Sequence, residues 1–181
     1  MEEITKQAIG IDCAKDDFAV TFSICDGQQN VNHLSSRSFK NDSTGFGLFN
    51  KWITKFWNKS VSLILLMEAT GVYHERLAYF LSDQGYRVSI LLPKRAKDFS
   101  KTIKVKSIND KIASQYLAIM GLEKKLDLWL KPQKQYLDLK QLTREKERLQ
   151  QQITQTKNQL HAEKSCMYPH ANTLKRLNQH L

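Results

Sequence analysis

Three acidic residues stand where a carboxylate is hard to keep. Asp12 ends the apolar run Ile9-Gly10-Ile11, and Glu68 ends a longer one inside Leu66-Met67-Glu68-Ala69-Thr70-Gly71. A carboxylate at the end of a buried apolar strand costs free energy unless a cation or hydrogen-bond donors stabilise it. If the two strands are neighbours, both groups meet at one sheet edge, where a hard divalent cation can take them as ligands. Asp110, in Ile108-Asn109-Asp110-Lys111-Ile112, opens a later helix. Three carboxylates drawn from two strand ends and a helix start suit Mg²⁺, which activates a nucleophile and stabilises a leaving oxygen in phosphoryl transfer. Taken singly, each has a structural alternative. Asp12 can cap the turn before Ala14-Lys15-Asp16, Glu68 can pair with a buried Arg or Lys, and Asp110 can serve as a helix N-cap.

The elements that must position these acids follow from the hydrophobic pattern. Residues 7–13 form a short apolar run, and 18–24 alternate, with Phe18, Val20, Phe22 and Ile24 on one face. Asp26-Gly27 supplies turn chemistry, and 31–39 return as a third strand, which makes an antiparallel meander. Ser43 or Thr44 caps a helix carrying Phe46, Phe49, Trp52, Ile53 and Phe56, aromatics better read as core than as base-stacking platforms. Residues 61–67 read as a central buried strand, 75–82 as a helix ending before Gly85, and 86–92 as a strand stopped by Pro93. Helices are expected over 94–102 and over 110–120, the latter closing at Gly121. Three antiparallel strands followed by αβαβ crossovers match a ribonuclease H-like mixed α/β sheet.

All seven glycines precede residue 122, and a Gln/Lys/Leu-rich stretch follows Pro132. We therefore expect an α/β domain over 1–130 and a helical arm over 131–181. In the arm, Leu139, Leu142, Lys146, Leu149, Ile153, Thr156 and Leu160 step alternately by 3 and 4, an a/d coiled-coil seam with two polar interruptions. Tyr168-Pro169-His170 breaks it, and a second helical pattern begins at Leu174, as in a helical hairpin cut short. The seam predicts packing within a hairpin and against another protomer, hence a dimer or higher oligomer.

The 181 residues carry 28 Lys+Arg against 18 Asp+Glu, a net charge of +10, with 41% hydrophobic residues. That composition excludes a disordered tail protein. No apolar run approaches the roughly 20 residues of a membrane span. Cys13, Cys25 and Cys166 show no repeated spacing and the N-terminus has no signal-peptide pattern, so a cytoplasmic location is expected, with no membrane partner. The positive surplus favours a polyanion, most simply nucleic acid. Between 87 and 106 stand Arg87, Lys94, Arg95, Lys97, Lys101, Lys104 and Lys106 against the single Asp98. Lys94, Lys97, Lys101 and Lys104 share one face if the helix continues, a surface that can hold phosphates or remain merely solvated. The five histidines form no convincing metal set, including His170 four residues after Cys166. His74, just after the Glu68 segment, can approach the acids or simply start a helix.

Four segments then carry a resemblance: Ile9-Gly10-Ile11-Asp12-Cys13-Ala14-Lys15-Asp16, Met67-Glu68-Ala69-Thr70-Gly71-Val72-Tyr73-His74, Leu92-Pro93-Lys94-Arg95 and Asn109-Asp110-Lys111-Ile112. In order and spacing they resemble the N-terminal domain of the DEDD transposases of insertion-sequence family 110. That family includes Piv-type DNA invertases and bridge-RNA-guided recombinases of bacterial or archaeal nucleoids. The resemblance covers the whole chain. It implies a RuvC-like domain in which four acids bind Mg²⁺, the first three being Asp12, Glu68 and Asp110. The fourth is expected three residues after Asp110, where this chain has Ala113, so weakened metal binding and an inactive form, natural or engineered, are expected. The resemblance further implies DNA as substrate, a structured guide RNA as partner, and a C-terminal domain with a catalytic serine, a part expected beyond Leu181. Ser114 and Ser165 are not expected to substitute for it.

Two other readings remain at this stage, a Holliday-junction-type nuclease on the same fold and a catalytically dead nucleic-acid-binding module. An actin-type ATPase would want a Gly/Ser/Thr-rich phosphate loop, which Cys13-Ala14-Lys15 does not supply.

Overall fold

The computed structural model describes residues 3–103 and 109–179. Strands β1 (Ile4–Cys13), β2 (Asp17–Asp26) and β3 (Val31–Lys40) form the antiparallel meander. Strands β4 (Leu63–Glu68) and β5 (Arg87–Leu91) add in parallel on the other side of β1, giving the order β3-β2-β1-β4-β5. A parallel neighbour requires a crossover, and helices supply it. Helix α1 (Ser43–Phe56) connects β3 to β4, and α2 (Glu75–Asp83) connects β4 to β5. Helices α3 (Pro93–Ser100) and α4 (Asp110–Glu123) follow β5.

The period-2 alternation of the strands decides which helix covers which face. Ile9, Ile11, Cys13, Phe18, Val20 and Phe22 point to one side, where they pack with Phe46, Phe49, Trp52 and Ile53 of α1 and Leu77 and Leu81 of α2. Burying these aromatics against one another is the main apolar contribution to the domain. The opposite face of the central strand carries only small or polar groups, Ala8, Gly10 and Asp12. It receives α4, whose Ala113, Tyr116, Leu117 and Met120 cluster with Leu66 and Leu91 of the sheet and Phe99 of α3.

Several boundaries differ from the sequence expectation for local reasons. The cap of α1 is Asp42 rather than Ser43 or Thr44, its Oδ1 accepting from the Gly45 amide at 2.8 Å. In the β2–β3 turn the left-handed residue is Gln29 (φ 67°), not Gly27, and the Asp26 carboxylate holds the amides of Gln28 and Asn30. Helix α4 does not close at Gly121 but runs through it to Glu123. A Cβ at Gly121 would lie 2.9 Å from the Ala8 methyl, so this glycine permits close helix–sheet approach rather than ending a helix. Helix α3 stops at Ser100 and a 3₁₀ turn, Lys101–Ile103, follows, so the helix expected over 94–102 tightens before its predicted end.

Contacts divide the chain into two compact units, Met1–Lys131 and Pro132–Leu181. In the second, α5 (Lys134–Ser165) is 32 residues long and α6 (Ala171–Gln179) returns against it, each contributing one buried leucine, Leu160 and Leu177. The rest of the predicted seam stands in water: Leu139, Leu142, Leu149 and Ile153 are 41–69% exposed. No described helix is long and apolar enough to cross a membrane.

Candidate active site

Asp12 and Glu68 are brought together by strand register. Ile11 of β1 pairs with Met67 of β4, so the next residue on each strand is the acid, at the C-terminal ends of two adjacent parallel strands. Side chains alternate between faces. Asp12 therefore shares the α4 face with Gly10, and Glu68 shares it with Leu66, which packs under α4. Helix α4 can lie over these acids because Gly10 has no side chain. A Cβ there would come within 2.0 Å of the Ser114 carbonyl oxygen and 2.3 Å of the Ala118 amide nitrogen.

Asp110 begins α4 but does not cap it. The cap is Asn109, whose Oδ1 accepts from the Ile112 amide at 2.9 Å. The other two structural alternatives also fail. The turn after Asp12 closes through the backbone, Ala14 N–H to Asp17 C=O at 2.9 Å, without the Asp12 carboxylate. Among the described residues the ion pairs are Lys101–Asp98, Lys131–Asp83 and Arg148–Glu145, none of them involving Asp12, Glu68 or Asp110. Among the described residues, the three carboxylates thus have no ion-pair partner.

Their mutual field is visible in the proton affinities. Burial, then the charges of Asp110 and Glu68, push the Asp12 carboxyl up to about 6 from 3.8. Burial also raises Glu68. The neighbouring Cys13 thiol is pushed up to about 12 by burial and by Asp12, which keeps it protonated and unsuited to act as a nucleophile. Among the described residues, no group of three or more His, Cys, Asp and Glu is arranged as a ready-made metal cage. The donor set, all carboxylate oxygen with no cationic partner among the described residues, nevertheless has the chemistry a hard divalent cation selects. At the position one turn into α4, the Ala113 methyl is buried among Leu66, Leu91, Ala96 and Phe99.

One side chain missed in the sequence ties the loops behind the acids together. The Asn41 amide nitrogen donates to the carbonyls of Ala14, two residues after Asp12, at 2.8 Å, and of Tyr73, five after Glu68, at 3.0 Å. Its Oδ1 is buried without a partner, as is Nδ1 of His74. His74 occupies the N-cap position of α2 without a side-chain capping bond, and burial lowers its proton affinity. Of its two expected roles, the structure places it at the helix start.

The basic residues divide. Lys94 and Lys97 line a cavity of about 430 Å³ with Glu68, Pro93, Ser100 and Tyr116, directly beside the acids. Tyr116 was not singled out by sequence, since one tyrosine in a helix reads as core. Arg95 is exposed on the same helix, and Lys101 is turned to Asp98 at 2.9 Å. Arg87 pairs with Ile64 at the start of β5, the opposite end of the sheet from Glu68, and hydrogen-bonds Ser62. Lys104 and Lys106 lie outside the described residues. A larger hollow of about 820 Å³ runs along Gln150, Thr154 and Asn158 of α5 and gathers no titratable group except Glu147.

An antiparallel three-strand meander extended by two parallel crossover strands, with acids at the C-terminal ends of the first and fourth strands, defines a ribonuclease H-like fold of the RuvC kind. Within that class, the chain belongs to the IS110-type DEDD transposase family, whose model, described as a transposase, matches residues 9–163. It is 29% identical over 150 residues to the pilin gene-inverting proteins of Moraxella bovis and Moraxella lacunata, an alignment covering 83% of this chain and 45% of each relative. The chain thus spans less than half the length of these relatives. Among solved structures it is similar to Thermus thermophilus RuvC (TM-score 0.49, 11% identity, 68% of this chain and 99% of that one). It is also similar to the Fowlpox virus Holliday junction resolvase (TM-score 0.47, 14% identity, 65% and 98%).

Proposed function

We propose that the first unit is the metal-dependent catalytic domain of a DNA transposase or site-specific recombinase, and that the second is its helical arm. The observation that carries this reading is the set of three carboxylates, without an ion pair among the described residues, at the ends of β1 and β4 and the start of α4, with lysines of α3 beside them. Asp12, Glu68 and Asp110 would hold Mg²⁺. When bound, the cation would supply an activated nucleophile and neutralise charge on the phosphodiester. Lys94, Arg95 and Lys97 hold backbone phosphates against the acids, with Lys101 further along the same surface. This is sequence-independent positioning rather than base readout. Gly10 fixes the height of α4 over the sheet, and Asn41 fixes the two loops that follow the acid-bearing strands. The remaining positive charge suits a second polyanion, which the family resemblance makes a structured guide RNA. Self-association through the α5 seam completes the assignment.

Exchanging Lys94, Arg95 and Lys97 together for alanine is expected to weaken DNA binding about 10-fold or more at low salt and to flatten its dependence on salt by about 2–3 in log–log slope. Unchanged affinity and slope would remove this surface from the interface.

Ala113 favours a companion reading, a domain that binds nucleic acid with little catalysis. An acid in that position would complete the cation site from one helical turn beyond Asp110. Ala113→Asp is expected to lower the stability of the cation-free protein by about 1–3 kcal/mol, because the new carboxylate enters an apolar cluster. It is also expected to enlarge the gain in melting temperature on adding Mg²⁺. If the Mg²⁺-induced gain is the same with and without the substitution, residue 113 does not belong to the cation site.

A further inference from the structure

The cavity beside Glu68 contains a donor that neither the family resemblance nor the basic pattern assigns. Tyr116 lies three residues after Ala113 on α4, so the two share a helix face. The residue is 7% exposed and clusters with Leu66, Leu91, Ala96 and Phe99. Its hydroxyl makes no hydrogen bond to any described residue, although the side chain borders a cavity of about 430 Å³ shared with Glu68, Lys94 and Lys97. Burial, and then the charges of Glu68 and Asp12, push the phenol up to about 12, so the proton stays on the oxygen. Ser100, also in the lining, already donates its hydroxyl to the Lys97 carbonyl at 2.8 Å. The uncommitted donors of this cavity are therefore the Lys94 and Lys97 ammoniums and the Tyr116 hydroxyl.

We infer that Tyr116 is a substrate-contacting residue whose hydroxyl donates to a non-bridging oxygen of the DNA backbone phosphate seated between Glu68 and the α3 lysines. This rests on the proposed reading of the acids as a cation site. A phosphate wants donors from more than one direction, and the lysines approach from α3 while Tyr116 approaches from α4. A neutral donor on the carboxylate side has a specific advantage. A lysine or arginine there would pair with Glu68 and compete with the cation, whereas a phenol contributes a hydrogen bond without positive charge. Its packed ring also leaves little side-chain entropy to lose on binding.

Tyr116→Phe removes the oxygen and keeps the ring. The affinity of the 181-residue chain for a DNA oligonucleotide is measured in Mg²⁺ and in EDTA, beside Lys94→Ala and with melting temperatures of every variant. Tyr116→Phe is expected to melt as the parent does and to bind about 10- to 100-fold more weakly in Mg²⁺, the size of one hydrogen bond to a charged group. In EDTA, where Glu68 repels the phosphate, it should bind as the parent does. Lys94→Ala should weaken binding in both. If Tyr116→Phe matches the parent in Mg²⁺ while Lys94→Ala binds less tightly, the phenol is only core and the inference falls, with the phosphate surface intact. If the parent binds equally in Mg²⁺ and EDTA, the cation-site reading fails and takes this assignment with it.

Discussion

Asp12 is the residue on which burial, charge and function meet. Its carboxyl takes up a proton near pH 6 in the folded chain against an ordinary 3.8, first because it is partly buried and then because Asp110 and Glu68 face it. Between those two values the folded protein binds more protons than the unfolded chain, so stability falls as pH rises through the window. The whole effect is present above pH 6 and absent below about 4. A shift of that size corresponds to about 3 kcal/mol, and solvent screening of a partly exposed group brings the expectation to about 1–2 kcal/mol. Asp12→Asn should therefore stabilise the cation-free protein by about 1–2 kcal/mol at pH 7.5, with the advantage shrinking to nothing near pH 4, as measured by denaturant unfolding in EDTA. A pH-independent difference would mean that the folded chain does not raise the proton affinity of Asp12. Mg²⁺ should stabilise the parent and leave the asparagine variant almost unmoved.

At the scale of elements, the contact between α4 and β1 decides whether the site exists. Gly10 lets the helix backbone rest on the strand, and the 2.0 Å that a Cβ would leave to the Ser114 carbonyl oxygen cannot be relieved by a rotamer change. Gly10→Ala should cost about 2–3 kcal/mol of stability and lift Asp110 and Tyr116 away from Asp12, weakening Mg²⁺ binding in parallel. A near-neutral denaturation midpoint would show that α4 has slack. This contact also marks how far the sequence could be read. Apolar runs leading up to Asp12 and Glu68 announced two buried strands and their carboxylates, while their adjacency was only a condition of the sequence reading until the β1–β4 pairing supplied it. Gly10 looked like any glycine in a strand, because its reason lies more than a hundred residues away in Ser114 and Ala118. Asn41 was silent for the same reason, since it bridges Ala14 and Tyr73 across 27 and 32 residues. Tyr116 was hidden among core positions, and Ser43 hid the true cap one residue earlier at Asp42. Local periodicity records which face a residue takes, but not which distant backbone will touch it.

For the whole molecule the open question is what covers α5. A helix of 32 residues is about 48 Å long, and an isolated helix draws most of its stability in proteins from an apolar face packed on something. Within its unit, α5 buries only Leu160, leaving Leu139, Leu142, Leu149 and Ile153 exposed along the a/d line. The same line on a second copy is complementary by construction. Lys146 and Thr156 interrupt it, and polar a/d positions commonly fix register at some cost in stability. The chain is therefore expected to sediment as a dimer or larger assembly. A version ending at Lys131 should sediment as a monomer, because its apolar residues are satisfied by the sheet core. Leu142→Glu combined with Leu149→Glu separates this explanation from a loss of folding. It should abolish self-association while the first unit keeps its melting transition and its affinity for Mg²⁺. If the version ending at Lys131 still associates, the contact belongs to the α/β domain. If the double glutamate variant still associates, the seam is not the interface.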